Sequence, residues 1–245
     1  MTHPLGILYI CPYSEGIPTR RNNGPSIENS THIVVLIDRS GSMATIASDV
    51  IGGFNTFVDD QRSNGNDARM SIIQFDSQDP QDVTVWGAPL AEITHLTGQT
   101  FQPRGGTPLL DATGLAIGRA KVDGEARVAA GLAAQDVIFV AITDGEENQS
   151  REFTLEQIRE LIAERTEAGW NFIYLSAGLD AYNDAERMGI HSGDTQQWKR
   201  DGANARLAFS STSNAIKNMR EKKRRHEESQ RGSAFETGKD AEEQE

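Results

Sequence analysis

The feature that most constrains the fold is a pair of continuous apolar runs, each followed closely by an aspartate. Residues 33–37 (IVVLI) directly precede Asp38, and residues 137–142 (VIFVAI) precede Asp144 with one threonine between them. Unbroken apolar runs of this length are typical of central strands in parallel sheets, where helices cover both faces. The chain is therefore expected to place an aspartate at the carboxyl end of each of two buried strands.

Strands and helices alternate along the rest of residues 31–225. Three more strands are predicted, at residues 70–75, 83–86 and 171–176. Helices are predicted over residues 43–57, from Pro108 onward, and over residues 154–168, 181–188 and 213–225, with a last edge strand at residues 189–190. The short link before residues 83–86 favours an antiparallel hairpin at the sheet edge. We therefore predict an α/β fold, Rossmann-like, with a doubly wound, mostly parallel sheet and one antiparallel edge strand.

The two ends of the chain are predicted to lie outside this domain. Residues 1–30 contain prolines and no sustained periodicity, so we expect a flexible leader. Residues 226–245 are rich in Gln, Ser, Glu and Gly, so we expect a disordered acidic tail. One domain over residues 31–225, including a C-terminal helix, is expected between them.

Charge and cysteine content exclude several functions. The net charge of −12 argues against binding to nucleic acids or anionic lipid, which requires a cationic surface. The apolar runs are far shorter than the ~20 residues of a membrane span. Cys11 is the single cysteine, so an internal disulfide is excluded and a reducing compartment is favoured. We expect a cytoplasmic protein that does not bind membranes.

Five oxygen-bearing side chains are the candidate metal ligands. Ser40 and Ser42 follow Asp38 at alternate positions, Thr107 stands in a Gly-Gly-Thr-Pro segment, and Asp144 follows the second apolar run. Thr107 also fits the N-cap of the next helix. Hard oxygen donors without a thiolate or histidine suit a cation of the magnesium class. Because only two of the five are charged, an open position on the ion would attract a carboxylate from outside.

These segments resemble the metal-ion-dependent adhesion site of the von Willebrand factor type A (VWA) domain family, of the intracellular prokaryotic type. The resemblance covers residues 31–190 and implies a VWA fold with an intact metal site. It implies that Asp38, Ser40 and Ser42 form the first ligand segment, and that Thr107 and Asp144 bind Mg²⁺ or Mn²⁺ directly or through water. It also implies a partner protein that supplies a carboxylate, in an intracellular assembly or stress-response role.

The same aspartates leave two other functions open. A metal-dependent phosphoryl-transfer or hydrolytic enzyme would use them directly, and a scaffold would hold a purely structural metal. Against catalysis, Ser40 stands where phosphatases with an aspartate nucleophile normally place a second aspartate. The segment also lacks the first glycine of a G-x-S-x-G nucleophile turn. A non-enzymatic binding module is expected, and the sequence does not indicate that the partner is a second copy of the chain.

Residues beside the five candidates carry simpler interpretations. Glu146, Glu147 and Asn148 are expected in a solvated acidic loop at the rim of the site. Asp111 is expected to stabilise a helix or to support a ligand. Arg39 and Arg104 are expected either to contact an acidic partner or to be merely exposed.

Overall fold

The computed structural model describes residues 30–144, 147–199 and 202–242, with side chains described as far as residue 226. The predicted leader therefore lies outside the described residues, apart from Ser30. The described strands are β1 (Thr31–Asp38), β2 (Ala68–Asp76), β3 (Asp79–Pro89), β4 (Asp136–Thr143), β5 (Asn171–Ser176) and β6 (Thr195–Gln197). The described α-helices are α1 (Ala47–Ser63), α2 (Leu109–Ala129), α3 (Leu155–Glu167), α4 (Ala181–Arg187) and α5 (Gly202–Glu242).

The six strands form one sheet in the order β3-β2-β1-β4-β5-β6. Every adjacent pair is parallel except β2 with β3, which is antiparallel. The predicted α/β fold, with a mostly parallel sheet and one antiparallel edge strand, is thus confirmed. The winding direction reverses between β1 and β4, and in open parallel sheets a ligand crevice forms at such a point, beyond the carboxyl ends of the strands.

Two apolar clusters cover the opposite faces of the sheet. Val35 belongs to the cluster under α1 and α5, whereas Leu36 belongs to the cluster under α2, α3 and α4. Alternate residues of β1 therefore point into different layers, as the continuous apolar run requires. The α1–α5 contact depends on Gly53, because a Cβ there would lie 2.2 Å from Phe209 Cδ2. Within the described ranges, no helix has the length and apolar character needed to cross a bilayer.

The last edge strand differs from the prediction of residues 189–190. Gly189 and Ile190 instead end α4: Gly189 adopts a φ of +88°, and the Ile190 N–H donates to Ala185 O at 2.9 Å. This is the Schellman pattern that closes a helix through a left-handed glycine. The edge strand is Thr195–Gln197, a polar segment that pairs in parallel with β5.

Helix α5 is longer than predicted at both ends. It begins at Gly202 rather than at residue 213, because Ala205, Ala208 and Phe209 continue its buried stripe toward the N-terminus. Its backbone stays helical to Glu242, which differs from the disordered tail predicted from residue 226. That segment contains many strong helix formers (Glu, Lys, Arg, Gln) and no proline, so its polar composition is compatible with a helix.

A buried arginine fastens α5 to the end of the sheet opposite the crevice. Arg220 is 1% exposed and donates to Asp67 Oδ1 at 2.5 Å and to Gln61 O at 2.8 Å. Arg224 contacts the same carboxylate at 2.9 Å. Burial acts to raise the pKa of Asp67, but the two guanidinium groups hold it below its usual value. Arg220 and Arg224, in the middle of this helix, therefore bind the domain itself.

The two edges of the sheet are both irregular. The pairing of β2 with β3 contains three register shifts, between Met70 and Ile72, between Ile72 and Ile73, and between Gln74 and Asp76. At the other edge, β6 has only three residues. Among the described strands, the edge strand β3 is therefore irregular and the edge strand β6 is short.

Replacing Arg220 with methionine is expected to lower the free energy of unfolding by about 3–5 kcal/mol, because Asp67 loses its fully buried partner. The matched control is Arg225→Met, since the Arg225 side chain is 76% exposed and its contact with Glu221 lies at the surface. Urea unfolding followed by circular dichroism measures both variants. Equal stability of the two variants would contradict the assignment of Arg220 as the anchor of α5.

Candidate metal site at the switch point

Two carboxylates meet at the carboxyl ends of β1 and β4. Asp38 is the last residue of β1, and Asp144 directly follows β4. The two strands are paired, with Ile37 opposite Ile142. Asp38 is 0% exposed and Asp144 is 1% exposed, so both side chains are removed from bulk water. The structure thus brings together the two aspartates that the sequence singles out.

Hydroxyl groups link the two carboxylates into one cluster. Ser40 Oγ lies 3.0 Å from Ser42 Oγ, and Ser42 Oγ donates to Asp144 Oδ1 at 2.7 Å. The Ser40 N–H donates to Asp38 Oδ1 at 2.7 Å, and Thr143 Oγ1 donates to Asp38 Oδ2 at 2.6 Å. Four of the five candidate ligands are therefore joined by short hydrogen bonds. Thr143, which the sequence analysis did not single out, orients Asp38.

The environment of Asp38 disfavours its negative charge. Burial raises the pKa of Asp38 from 3.8 to about 6, against hydrogen bonds from Thr143 and Ser40 that act to lower it. The charge of Asp144 raises the pKa further. An ionised Asp38 is therefore under electrostatic strain that a cation in the crevice would relieve.

Thr107 lies on a second loop that is bonded to the first. The Gly41 N–H donates to Gly105 O at 3.0 Å, and Gly105 adopts a φ of +67°. A Cβ on Gly105 would lie 2.6 Å from Ser77 Oγ, so only glycine lets this loop pack so closely. Thr107 is 2% exposed, and its hydroxyl forms no hydrogen bond with another residue of the described ranges. That hydroxyl is therefore not directly bonded to the other four candidates.

The N-cap role suggested for Thr107 is not observed. Helix α2 begins at Leu109, and no side chain of the preceding residue caps it. Instead, the Leu110 N–H donates to Glu147 Oε2 at 2.9 Å and to Ser150 Oγ at 3.1 Å. A carboxylate at this helix terminus is favoured by the helix dipole. The N-terminal cap of α2 is therefore supplied by the loop after β4. No local sequence motif could have predicted this long-range contact.

The loop after β4 also holds Thr107 in place. Asn148 Oδ1 accepts from the Thr107 N–H at 3.0 Å, and the Asn148 N–H donates to Thr107 O at 3.1 Å. The expectation of a solvated acidic loop is therefore incomplete for Glu147 and Asn148, whereas Glu146 lies outside the described residues. Asn148 is exposed, but it binds Thr107 of the second loop, and Glu147 binds the first turn of α2.

Asp111 fixes the same loop to α2. Its two carboxylate oxygens accept the backbone N–H groups of Arg151, Glu152 and Phe153 at 2.8–2.9 Å. Asp111 is 5% exposed, so these bonds are largely shielded from water. The predicted supporting role of this residue matches its position, because it secures the loop that follows Asp144.

Arg39 and Arg104 neutralise a different aspartate. Asp76, at the end of β2, is 0% exposed and accepts from Arg39 Nε at 3.0 Å and from Arg104 Nε at 2.8 Å. Arg39 also donates to Asp82 Oδ2 at 2.7 Å. Of the two interpretations offered for these arginines, the structure supports neither for Arg39, because it is buried and paired within the domain.

The donor set of the crevice fits a hard divalent cation. It consists of two carboxylates and three hydroxyl groups, all oxygen donors. Across the described ranges there is no cluster of three or more His, Cys, Asp or Glu side chains that could hold a metal. The crevice falls outside that definition because hydroxyls supply most of its donors.

Substitution of Asp38 by asparagine is expected to stabilise the metal-free protein at pH 7.5 by up to about 3 kcal/mol. The raised pKa of Asp38 means that its favourable contribution is complete below pH 3.8 and is lost as the pH rises through about 6. The gain should therefore shrink toward pH 4. Urea unfolding in chelator between pH 4 and 8 tests this, with Asp194→Asn on an exposed turn as the control. If Asp38→Asn gives no increase in the free energy of unfolding, or an increase that does not change with pH, then the ionised Asp38 is not strained.

No protein-family model matches the chain, and no curated protein matches it significantly. Among solved structures, the pilus adhesin SpaC of Lactobacillus rhamnosus GG is 12% identical with a TM-score of 0.57, over 77% of this chain and 30% of SpaC. Proximal thread matrix protein 1 of the mussel byssus is 10% identical with a TM-score of 0.50, over 78% of this chain and 46% of that protein. The SpRpn10 VWA domain is 11% identical with a TM-score of 0.52, over 74% of this chain and 94% of that domain.

The chain spans less than half the length of the first two of these proteins. Sequence identities this low show a shared fold rather than a shared function. Taken with the strand order and the position of the crevice, the comparisons show that this chain has the fold of a VWA domain.

Proposed function

We propose that the crevice binds Mg²⁺, with Mn²⁺ as the alternative ion, and that the bound ion takes a carboxylate from a partner protein. The ligands are Asp38, Ser40, Ser42, Thr107 and Asp144. The observation that carries this proposal is the meeting of two buried carboxylates and two serine hydroxyls in one hydrogen-bonded cluster. Buried like charges are held together only when something compensates them, and a cation does so.

The chain's own groups prepare the crevice for the ion. The Ser40 N–H and Thr143 Oγ1 fix the orientation of the Asp38 carboxylate before any ion enters. Ser42 is exposed, and its hydroxyl, which here donates to Asp144 Oδ1, would be one of the groups that hold the ion. A magnesium ion keeps several water molecules and supplies an electrophilic position that an external carboxylate can occupy.

The pairing of the arginine side chains near the crevice favours a partner-binding role over a catalytic one. Arg39 and Arg104 are both paired with Asp76, so neither is held ready to stabilise a transferring phosphoryl group. Hydrolysis of a phosphoester by the purified protein, dependent on both Mg²⁺ and Asp38, would instead support the enzymatic alternative. Early melting without metal, and no metal-dependent partner, would support a purely structural ion.

An exposed leucine extends the proposed partner surface. The Ala177 N–H donates to Thr143 O at 3.0 Å, and a Cβ on Gly178 would lie 3.7 Å from Asp144 O. The turn after β5 is therefore packed on the Asp144 loop. Leu179, the next residue, is 100% exposed. A partner whose carboxylate reaches the ion would cover this side chain, which is the kind of apolar contact that contributes affinity.

The cellular setting belongs to the same proposal. A single cysteine and a metal site built from oxygen donors are compatible with a reducing cytoplasm. We place the protein in an intracellular assembly or stress-response role, with a protein as its partner and no nucleic acid or membrane.

Removing the Ser42 hydroxyl is expected to weaken binding of Mg²⁺ and Mn²⁺ at least tenfold, because one donor of the cluster is lost. Thr45→Ala is the matched control, since Thr45 is an exposed hydroxyl residue in the same 3₁₀ turn and its hydroxyl donates to the backbone oxygen of Ser42. Isothermal titration calorimetry with each metal alone gives the affinities. Equal affinities of wild type and Ser42→Ala would count against the proposed ligand set.

Leu179→Asp is expected to reduce partner binding about tenfold or more while leaving metal affinity unchanged. Affinity capture from native lysate in Mg²⁺ and in chelator, compared with Asp38→Ala, first identifies a partner whose retention requires the metal.

The control for this substitution is Leu132→Asp, at an exposed leucine that follows the far end of α2. If Leu179→Asp and Leu132→Asp bind the partner equally well, the turn after β5 is not part of the partner surface. If no captured protein depends on metal, the proposed function itself fails.

A further inference from the structure

A groove of about 630 Å³ lies beyond the carboxyl ends of β5 and β6, on the side of the metal crevice that faces away from β1. It is lined by the turn after β5, the first turn of α4 and the segment after β6. Leu179, Tyr182 and Trp198 supply most of its apolar surface. A groove of this size accommodates a ligand as large as a short peptide segment.

The groove continues the line of the metal crevice along the edge of the sheet. Thr143, Ser176 and Gln197 stand side by side in β4, β5 and β6. Asp144 is the residue after the first of them, and Trp198 is the residue after the last. Neighbouring strands are about 4.8 Å apart, so the backbones of Asp144 and Trp198 are separated by about 10 Å. One bound segment can therefore reach both the crevice and the groove.

The apolar surface of the groove is exposed but held in a fixed position. Leu179 is 100% exposed and Tyr182 is 45% exposed. Gln197 Nε2 donates to Gly178 O at 2.8 Å and to Leu179 O at 3.1 Å, so β6 fixes the turn that carries the leucine. Apolar side chains presented in this way are typical of surfaces that take an apolar side chain from another molecule.

The charge of the groove favours an anion. Among its described lining residues, Lys199 is the only charged one. Lys199 is exposed, and no carboxylate of the described ranges forms an ion pair with it. Asp180 follows Leu179 in the chain, but it lines a different cavity, and its carboxylate accepts from Asn183 Nδ2 at 2.7 Å. A carboxylate that enters beside the leucine therefore meets a cation that is not already paired.

The indole of Trp198 adds a requirement for a hydrogen-bond acceptor. Trp198 is 4% exposed, and its N–H forms no hydrogen bond within the described part of the chain. A buried donor without an acceptor costs free energy, which an acceptor on a guest would offset. Every residue of a peptide brings such an acceptor as its main-chain carbonyl. The apolar surface, the unpaired cation and the unpaired donor together fit a peptide with an apolar and an acidic side chain.

We propose that this groove binds a segment of the partner protein in which a large apolar residue is adjacent to an acidic residue. The apolar side chain packs against Leu179 and Tyr182, the carboxylate pairs with Lys199, and a main-chain carbonyl accepts from the Trp198 N–H. An extended chain advances about 3.3 Å per residue, so the acid that binds the ion lies about three residues from the apolar one. That spacing rests on the proposed function, whereas binding in the groove requires no metal.

The test is an NMR titration of the isotope-labelled full chain in chelator with three acetylated, amidated peptides. Gly-Leu-Glu-Gly carries both side chains, Gly-Leu-Gln-Gly lacks the charge, and Gly-Ser-Glu-Gly lacks the apolar group. The first peptide is expected to shift the amide signals of residues 178–182 and 197–199. The glutamine peptide should bind about three- to fivefold more weakly. The serine peptide should bind at least tenfold more weakly, because no large apolar surface is buried.

Lys199→Met should weaken Gly-Leu-Glu-Gly about three- to fivefold and remove its advantage over the glutamine peptide. Lys222→Met is the matched control, because Lys222 is an exposed lysine on α5 outside the groove. The inference is overturned if millimolar Gly-Leu-Glu-Gly leaves these amide signals unchanged. It is equally overturned if the glutamine peptide binds as well, or if Lys199→Met keeps the preference for glutamate.

Two longer peptides separate this inference from the proposed metal site. Each carries a second glutamate, three residues before the leucine in one and three residues after it in the other. One of the two is expected to bind at least tenfold more tightly in Mg²⁺ than in chelator. If neither does so while the short peptides behave as expected, the proposed metal contact fails and the groove stands. Failure of the short peptides overturns the groove whatever the metal does.

Discussion

The burial of the Asp38 carboxylate is the constraint on which the crevice depends. The strand that carries it is central and covered on both faces, so its last residue is removed from water together with Asp144. Two like charges in such a place must be compensated or neutralised. The Ser40 N–H, the Thr143 hydroxyl and the Ser42 hydroxyl each bind one of these carboxylates, and they leave an all-oxygen cluster.

Hydrogen bonds between the loops, in addition to their attachment to the strands, fix the loops around this cluster. Asn148 binds Thr107 through two backbone-directed hydrogen bonds, Glu147 caps α2, and Asp111 accepts three N–H groups of the next loop. Sites built in this way need little reorganisation when a ligand arrives, since the donors are already positioned. The buried Arg220–Asp67 ion pair lies at the other end of the sheet. The contact that anchors α5 is therefore distant from the electrostatically strained Asp38 carboxylate.

The local pattern was sufficient to predict the strands β1 to β5 and the two aspartates, because a continuous apolar run followed by a polar residue indicates a buried strand and the point where it ends. The sequence pattern failed to predict features that depend on contacts between residues distant in the sequence. The edge strand at Thr195–Gln197 has no apolar alternation and exists through main-chain pairing with β5. The Glu147 cap and the Arg220 anchor join residues 37 and 153 positions apart, so no local motif contains them. The metal itself and the partner remain proposals because side-chain oxygens also serve as ordinary hydrogen-bonding groups.

The irregular edges of the sheet have a consequence for how this protein meets others. Strand addition and edge-to-edge aggregation need a long row of regularly spaced, unpaired backbone groups. In the described part of the chain, the three register shifts between β2 and β3 and the three-residue length of β6 make both edge strands poor templates for such pairing. Such edges disfavour partner binding and self-association by addition of a strand to the sheet.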